Sequence, residues 1–205
     1  MILQTDPGWL PERRGRLTAS RMNDALAFLK NGKESESRRK YKVELVAERM
    51  VDVAVDRYVS PAMQRGLDLE PDARAAYEAH SGNLCGPAAL VHHPRIEWFS
   101  ATPDAFVDAD GLAEFKVPQV TTYVEWIAGG IIPEQHIAQL TVQLACTGRQ
   151  WVDFAAYCPE MPPPRRLFVR RFAPTPAEIA DCEAAASAFL AEVEAMFVAV
   201  TESPA

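Results

Sequence analysis

The chain's four cysteines include no CxxC pair, which removes the usual zinc knuckles and dithiol redox motifs. Cys85, Cys146, Cys158 and Cys182 are scattered, and reduced, at least partly buried thiols are expected. His80, His92, His93 and His136 form no HExxH-type ligand set. The adjacent His92 and His93 would face opposite sides of a strand, so a shared metal is not expected. There is no internal repeat, no low-complexity tract and no linker long enough to divide the chain. No apolar run of membrane-spanning length stands out, and the start, MILQTDPGWLPERRG, lacks the basic-then-apolar order of an export signal. A soluble cytoplasmic protein with no membrane partner is therefore expected.

Positive charge is scarce overall, at a net of −7, but it is unevenly placed. Residues 1–42 carry ten Lys/Arg against five Asp/Glu, whereas residues 43–205 carry eleven against twenty-three. An acidic body with a basic leading section can still hold phosphate locally, because screening confines distant charges to a reach of about 10 Å. With 205 residues and 48% hydrophobic composition, the chain is sized for one globular domain with a substantial core.

Periodicity predicts helices first, mixed strands next and helices after. LTASRMNDALAFL (17–29) reads as a helix opened by Thr18 or Ser20 and closed before Asn31-Gly32. A second helix should run from Glu36 to about Val55, with Tyr41, Leu45 and Val46 inward and Glu44 and Glu48 on its wetter side. Residues 60–82 read as a third, in which Pro71 should kink or restart the helix just after Glu70. Short strands follow at Ala88–Val91 and Glu97–Ser100, then a hairpin over 104–117. A helix from Pro133 to Gly148, strands at 150–157 and 166–172, and a long alanine-rich helix close the chain. The fold class is α/β, with a central mixed sheet flanked by helices.

The hairpin SATPDAFVDADGLAEFKVP carries the chemistry. On strand 112–117 Leu112, Glu114 and Lys116 share one face, and the apolar Ala113, Phe115 and Val117 share the other. A plain four-residue loop would set Asp104 opposite Phe115. A five-residue connection, or a bulge at Gly111, would set it opposite Glu114. Two carboxylates brought together repel unless a cation lies between them, and oxygen ligands suit Mg²⁺ or Mn²⁺. Such an ion can activate water and neutralise charge building on a phosphate oxygen, with a nearby lysine orienting the attack. That chemistry favours the second register, with irregular geometry at Gly111.

Pro103-Asp104 with Glu114-Phe115-Lys116 resembles the PD-(D/E)xK nuclease core. The chain is similar nearly end to end to the lambda exonuclease, or YqaJ-type viral recombinase, branch of that superfamily. The resemblance rests on Trp9, Arg13, Gly15 and Thr18-Ala19-Ser20, and on Tyr41 with Leu45-Val46-Ala47-Glu48. It extends through Gly66, Glu70-Pro71 and Ala73-Arg74, then Thr102-Pro103-Asp104, Ala138-Gln139 to Gln143, and Phe154-Ala155-Ala156-Tyr157. It implies a single nuclease domain over 1–205, with a phosphate-binding segment in 1–58, a catalytic core in 59–172 and a closing helix in 173–205. Asp104, Glu114 and the backbone carbonyl of Phe115 would ligate Mg²⁺ (Mn²⁺ substituting), with Glu70 completing the acidic site. Lys116 would position the water, assisted by Gln139, while Arg13, Ser20 and Thr102 would hold a terminal 5′-phosphate. Threonine at 102 stands where serine is expected, and QVTTYVEW (119–126) offers no further phosphate-binding arginine. The activity implied is 5′→3′ exonuclease digestion of linear double-stranded DNA ends, leaving 3′ single-stranded tails. A ring-shaped homotrimer and a single-strand annealing protein as partner are implied with it.

Overall fold

A computed structural model describes residues 2–3, 6–51, 60–87 and 89–202. The chain begins with β1 (Ile2–Leu3), α1 (Trp9–Arg13) and β2 (Leu17–Thr18), then a 3₁₀ turn over Ala19–Arg21 that runs into the one-turn helix α2 (Met22–Ala25). Two longer helices follow, α3 (Glu36–Met50) and α4 (Pro61–Ser81). The strands are β3 (Cys85–Gly86), β4 (Ala89–His92), β5 (Phe99–Ala101), β6 (Ala105–Val107) and β7 (Gly111–Lys116). The helices α5 (Val120–Gly129) and α6 (Glu134–Thr147), the strands β8 (Trp151–Tyr157) and β9 (Leu167–Phe172), and α7 (Pro176–Thr201) complete it.

The expected mixed α/β architecture is present, with its strands shared between two mixed sheets in the orders β1-β4-β5-β2 and β3-β6-β7-β8-β9. In the larger sheet β7 and β8 are parallel, which requires a crossover, and α5 and α6 supply it. Leu112 on β7 joins Leu140 and Leu144 of α6, Tyr123 of α5 and Phe154 of β8 in one buried cluster. Ala113 and Phe115, on the other face, meet Ala73 and Tyr77 of α4. The alternation read from the sequence therefore holds, and α4 and α6 cover opposite faces of β7. A third cluster joins Leu17, Tyr41, Leu45, Phe99, Val142 and Phe189, so α6 is buried on both sides and ties the two sheets together.

Three local expectations change. The helix expected over 17–29 is short, because Leu17 and Thr18 pair in parallel with Phe99 and Ser100 and Phe28 bridges to Glu34. Tertiary pairing has claimed both ends of the segment. The second helix stops at Met50, and the remainder expected to about Val55 falls largely outside the described residues. Helix α4 runs unbroken through Pro71; the proline removes one donor, but the packing of Ala73 and Tyr77 keeps the following turns on the sheet.

The closing helix corrects the expectation that no run is long and apolar enough to span a membrane. α7 is long and apolar enough by length and composition to cross a bilayer, a property that its alanine-rich pattern conceals in sequence. In this fold it lies against α3 and α6, burying Ala186, Phe189, Leu190 and Val193. Glu192 fixes it in place, taking 2.8 Å bonds from both terminal nitrogens of Arg38 and from Lys42.

The guanidinium of Arg38, joined by Lys42, overcomes the opposing burial and holds the Glu192 carboxyl down to about 2. An unfolded glutamate titrates near ~4.3. Its folded-state value being the lower, the stabilisation is complete above the unfolded pKa and is lost as pH falls towards the folded one. Glu192→Gln should lower the melting temperature at neutral pH by a few degrees at most, because the side chain is 45% exposed. Melting curves at falling pH should show this gap closing across that acidic window.

Candidate active site

The β6–β7 hairpin sets the site. Ala105 pairs with Ala113, Phe106 with Leu112 and Val107 with Gly111, which carries Asp104 opposite Glu114, the register that metal chemistry favours. The irregularity falls elsewhere than expected. Asp108 takes the left-handed conformation (φ 47°), and Gly111 keeps strand geometry. Glycine is needed at 111 for space, since a Cβ there would lie 2.1 Å from the Trp151 ring. Arg149 then ties the loop, donating to the carbonyls of Val107, Asp108 and Gly111.

Glu114 is buried, and a buried carboxylate needs donors. Lys116 and Gln139 both donate to its Oε1, and Gln143 donates to Oε2 at 2.6 Å. Gln139 and Gln143 thus bind different oxygens of Glu114, and sequence reading gave Gln143 no role. Their i, i+4 spacing on a helix was the available signal, since it puts both on one face. Asp104 Oδ2 accepts the Phe115 N–H at 2.7 Å. Its backbone carbonyl is held by Arg74 at 2.6 Å, which also donates to the carbonyls of Cys85 and Gly86. Arg74, another residue without a role in the sequence reading, anchors the start of the hairpin.

Burial, and then the charge of Glu114, push the Asp104 carboxyl well above the usual carboxylate range. Burial raises Glu70 as well, with Arg74 opposing and Glu114 adding. For Lys116, burial is outweighed by the negative charges of Glu114 and Asp104, so its pKa rises and it stays an ammonium. His136, in ring contact with Trp126 and Phe154, is held down to about 4 by burial and by Lys116, and is neutral at neutral pH.

A second group lies on the segment leading to β2 and α2. Arg13 donates from one nitrogen to Thr18 Oγ1 and Ser20 Oγ, each at 3.3 Å, and stacks on Trp9 with its guanidinium carbon 5.1 Å from the ring centre. Ser20 sits inside a 3₁₀ turn before a four-residue helix. The helix expected to open at Thr18 or Ser20 is therefore too short to place a long helix dipole behind Ser20. Thr102 lies nearby, its Oγ1 buried without a hydrogen-bond partner among the described residues. Both groups line one cavity of about 510 Å³, together with Glu70, Phe115, Met63, Leu67 and Trp126.

Among the described residues no three His, Cys, Asp or Glu side chains close into a ready cation cage. The donor chemistry nevertheless fits a hard divalent ion. Asp104 and Glu114 oppose one another, and their mutual repulsion is the imbalance a cation would relieve. Because a strand residue's N–H and C=O point to the same edge, the Phe115 carbonyl shares the side on which its N–H meets Asp104. Glu70 belongs to the same acidic cavity. An acid pair and a lysine at one end of a mixed sheet are groups that phosphodiester hydrolysis could use.

Residues 8–150 match the model of the YqaJ-like viral recombinase domain, and the chain belongs to that family. The alkaline exonuclease LHK-Exo of Laribacter hongkongensis is 38% identical, with 96% of each chain covered and a TM-score of 0.87. Its complex with dAMP is 37% identical, covering 95% of this chain and 96% of that one at the same TM-score of 0.87. A phage-related exonuclease from Haemophilus somnus 129PT, 11% identical with a TM-score of 0.66 over 91% of this chain and 96% of that one, shares the fold. No curated protein matches the chain. The chain is a nuclease of the exonuclease class.

The acid pair makes a stability prediction. Asp104→Asn keeps an acceptor for the Phe115 N–H and removes one of the opposed charges. In chelator the variant should melt a few degrees higher than wild-type, since relief of about 1 kcal/mol is worth ~2–4 °C at this size. Adding Mg²⁺ or Mn²⁺ should raise the wild-type melting temperature and leave the variant's nearly unchanged. A metal-induced shift equal in both proteins would remove Asp104 from the ligand set.

Proposed function

We propose that the chain is a Mg²⁺-dependent deoxyribonuclease that digests one strand of linear double-stranded DNA from its 5′ end, Mn²⁺ being able to substitute. The observation carrying this reading is the single cavity shared by the acid–lysine site and the Arg13 group. At about 510 Å³ it has the size of a small-ligand site. It would take the terminal nucleotide of one strand and exclude an intact duplex, which favours attack at an end. The dAMP bound in the LHK-Exo complex is a ligand of the same size class.

Arg13, with its planar fork, would hold the terminal 5′-phosphate alongside Ser20 and Thr102. Lys116 would orient a water towards the phosphorus of the next phosphodiester, aided by Gln139. Water oxygen bonds to phosphorus as the bond from phosphorus to the 3′-oxygen breaks, and the water's proton balances the released alkoxide. The remaining strand then keeps a 5′-phosphate, which suits it to the same anchor for another cycle. Asp104, Glu114 and the Phe115 carbonyl would hold the divalent ion, with Glu70 beside them. When bound, that ion would lower the pKa of water and offset charge on the phosphoryl oxygens. The 3′ single-stranded tails left behind fit recombination through a single-strand annealing partner. A homotrimeric ring would keep the enzyme on its duplex.

Linear duplex labelled at either end, with Mg²⁺ or chelator, tests activity, polarity and metal need together, and closed circular DNA should resist. Lys116→Ala should abolish cleavage but retain fold and DNA binding, because its charge matters most in the transition state; unchanged turnover would mean another group orients the water. Arg13→Ala should slow digestion of 5′-phosphorylated duplex roughly ten-fold or more while 5′-hydroxyl duplex loses little. Equal losses on both ends would reduce Arg13 to an ordinary backbone contact.

A further inference from the structure

The stretch from the end of α1 through β2 to the 3₁₀ turn carries Arg13, Thr18 and Ser20 into the cavity, yet it has little regular structure of its own. Its grip comes from α3. Gly15, in the left-handed region at φ +65°, donates its N–H to Glu48 Oε2 at 2.9 Å. Its carbonyl accepts from Arg49 Nε at 3.0 Å. Both backbone groups of a single residue are thus taken by consecutive side chains of one helix. A Cβ at Gly15 would lie 2.5 Å from Arg49 Cγ, so the approach requires glycine on steric as well as conformational grounds. Just beyond Gly15, the Tyr41 hydroxyl accepts the Thr18 N–H at 3.2 Å and lies 3.4 Å from the Arg16 carbonyl.

Glu48 was expected on the wet face of α3 and is instead buried, at 6% exposure. Burying a carboxylate is costly unless its bonds are put to use. The bond to Gly15 is such a use, since it fixes the turn on which Arg13 and its two hydroxyl partners converge. We propose that Glu48 is a positioning residue for the phosphate anchor: through the Gly15 N–H it sets where the Arg13 guanidinium stands, and hence how strongly the enzyme prefers a 5′-phosphorylated end. This rests on the 5′-phosphate reading of Arg13 above.

Reach and charge can be separated at this position. Glu48→Gln keeps an oxygen at the same distance and loses the charge; Glu48→Asp keeps the charge and falls short by one methylene. In Glu48→Asp, amide exchange at Gly15 to Ser20 should quicken. The ratio of kcat/KM on 5′-phosphorylated over 5′-hydroxyl duplex should fall roughly ten-fold, as expected for losing a buried hydrogen bond. The fall should lie mainly in KM. Glu48→Gln should restore both readouts to near wild-type, and Glu48→Ala, if it folds, should match Glu48→Asp. Unchanged exchange in Glu48→Asp, or faster exchange with an unchanged ratio, would overturn the proposal. So would a glutamine variant as impaired as the aspartate one, since charge and not reach would then be acting. A wild-type enzyme without phosphate preference would overturn the anchor reading itself and the positioning role with it. A preference lost in Arg13→Ala but kept in Glu48→Asp would overturn the positioning role alone.

Discussion

Burial of the Glu114 carboxylate inside the larger sheet constrains everything near the site. A charge in that position survives only with donors on both oxygens, and it draws Lys116 from its own strand and Gln139 and Gln143 from α6. Those bonds fix the rotation of α6, whose other residues then fill the cores on either side. Asp104 is placed by the same hairpin and secured through Phe115 and Arg74. The acid pair is therefore held close by surrounding structure, an arrangement that costs stability, as the raised pKa of Asp104 reflects.

The two chemical groups of the cavity are built in different ways. The acid–lysine group stands on strands and a buried helix, where register and packing limit its motion. The Arg13 group stands on a turn whose order is borrowed from α3 through Glu48, Arg49 and Tyr41. The acid–lysine group is thus held by its own sheet and helix, whereas the Arg13 group depends on contacts from a neighbouring helix.

Much of this was legible in advance, and the reasons are local. Strand alternation over 112–117 assigned Phe115 and Glu114 to opposite faces, because a period of two leaves no choice once one face is apolar. The preference for Asp104 beside Glu114 came from chemistry, and the ladder agrees with it. The origin of that register was misread: glycine at 111 makes room for Trp151, and Asp108 takes the strained turn position. A tryptophan 40 residues away cannot be seen in a hairpin's own sequence. Ser20 shows the same limit, since its expected helix gave way to a strand pairing with distant Phe99 and Ser100.

By itself the sequence determined what depends on near neighbours and residue type: the alternating faces of β7, the starts of α3 and α4, the acid pair with its lysine, and the family pattern spread along the chain. The tertiary structure decided what depends on contacts between distant segments. It made Glu48 a buried acceptor instead of a wet surface acid, and made Gln143 a hydrogen-bond donor to Glu114. It also laid an apolar α7 against α3 and α6. The physical reason is common to all three. Burial and hydrogen-bond partnership are properties of pairs, and members of these pairs lie 29 to 154 residues apart along the chain.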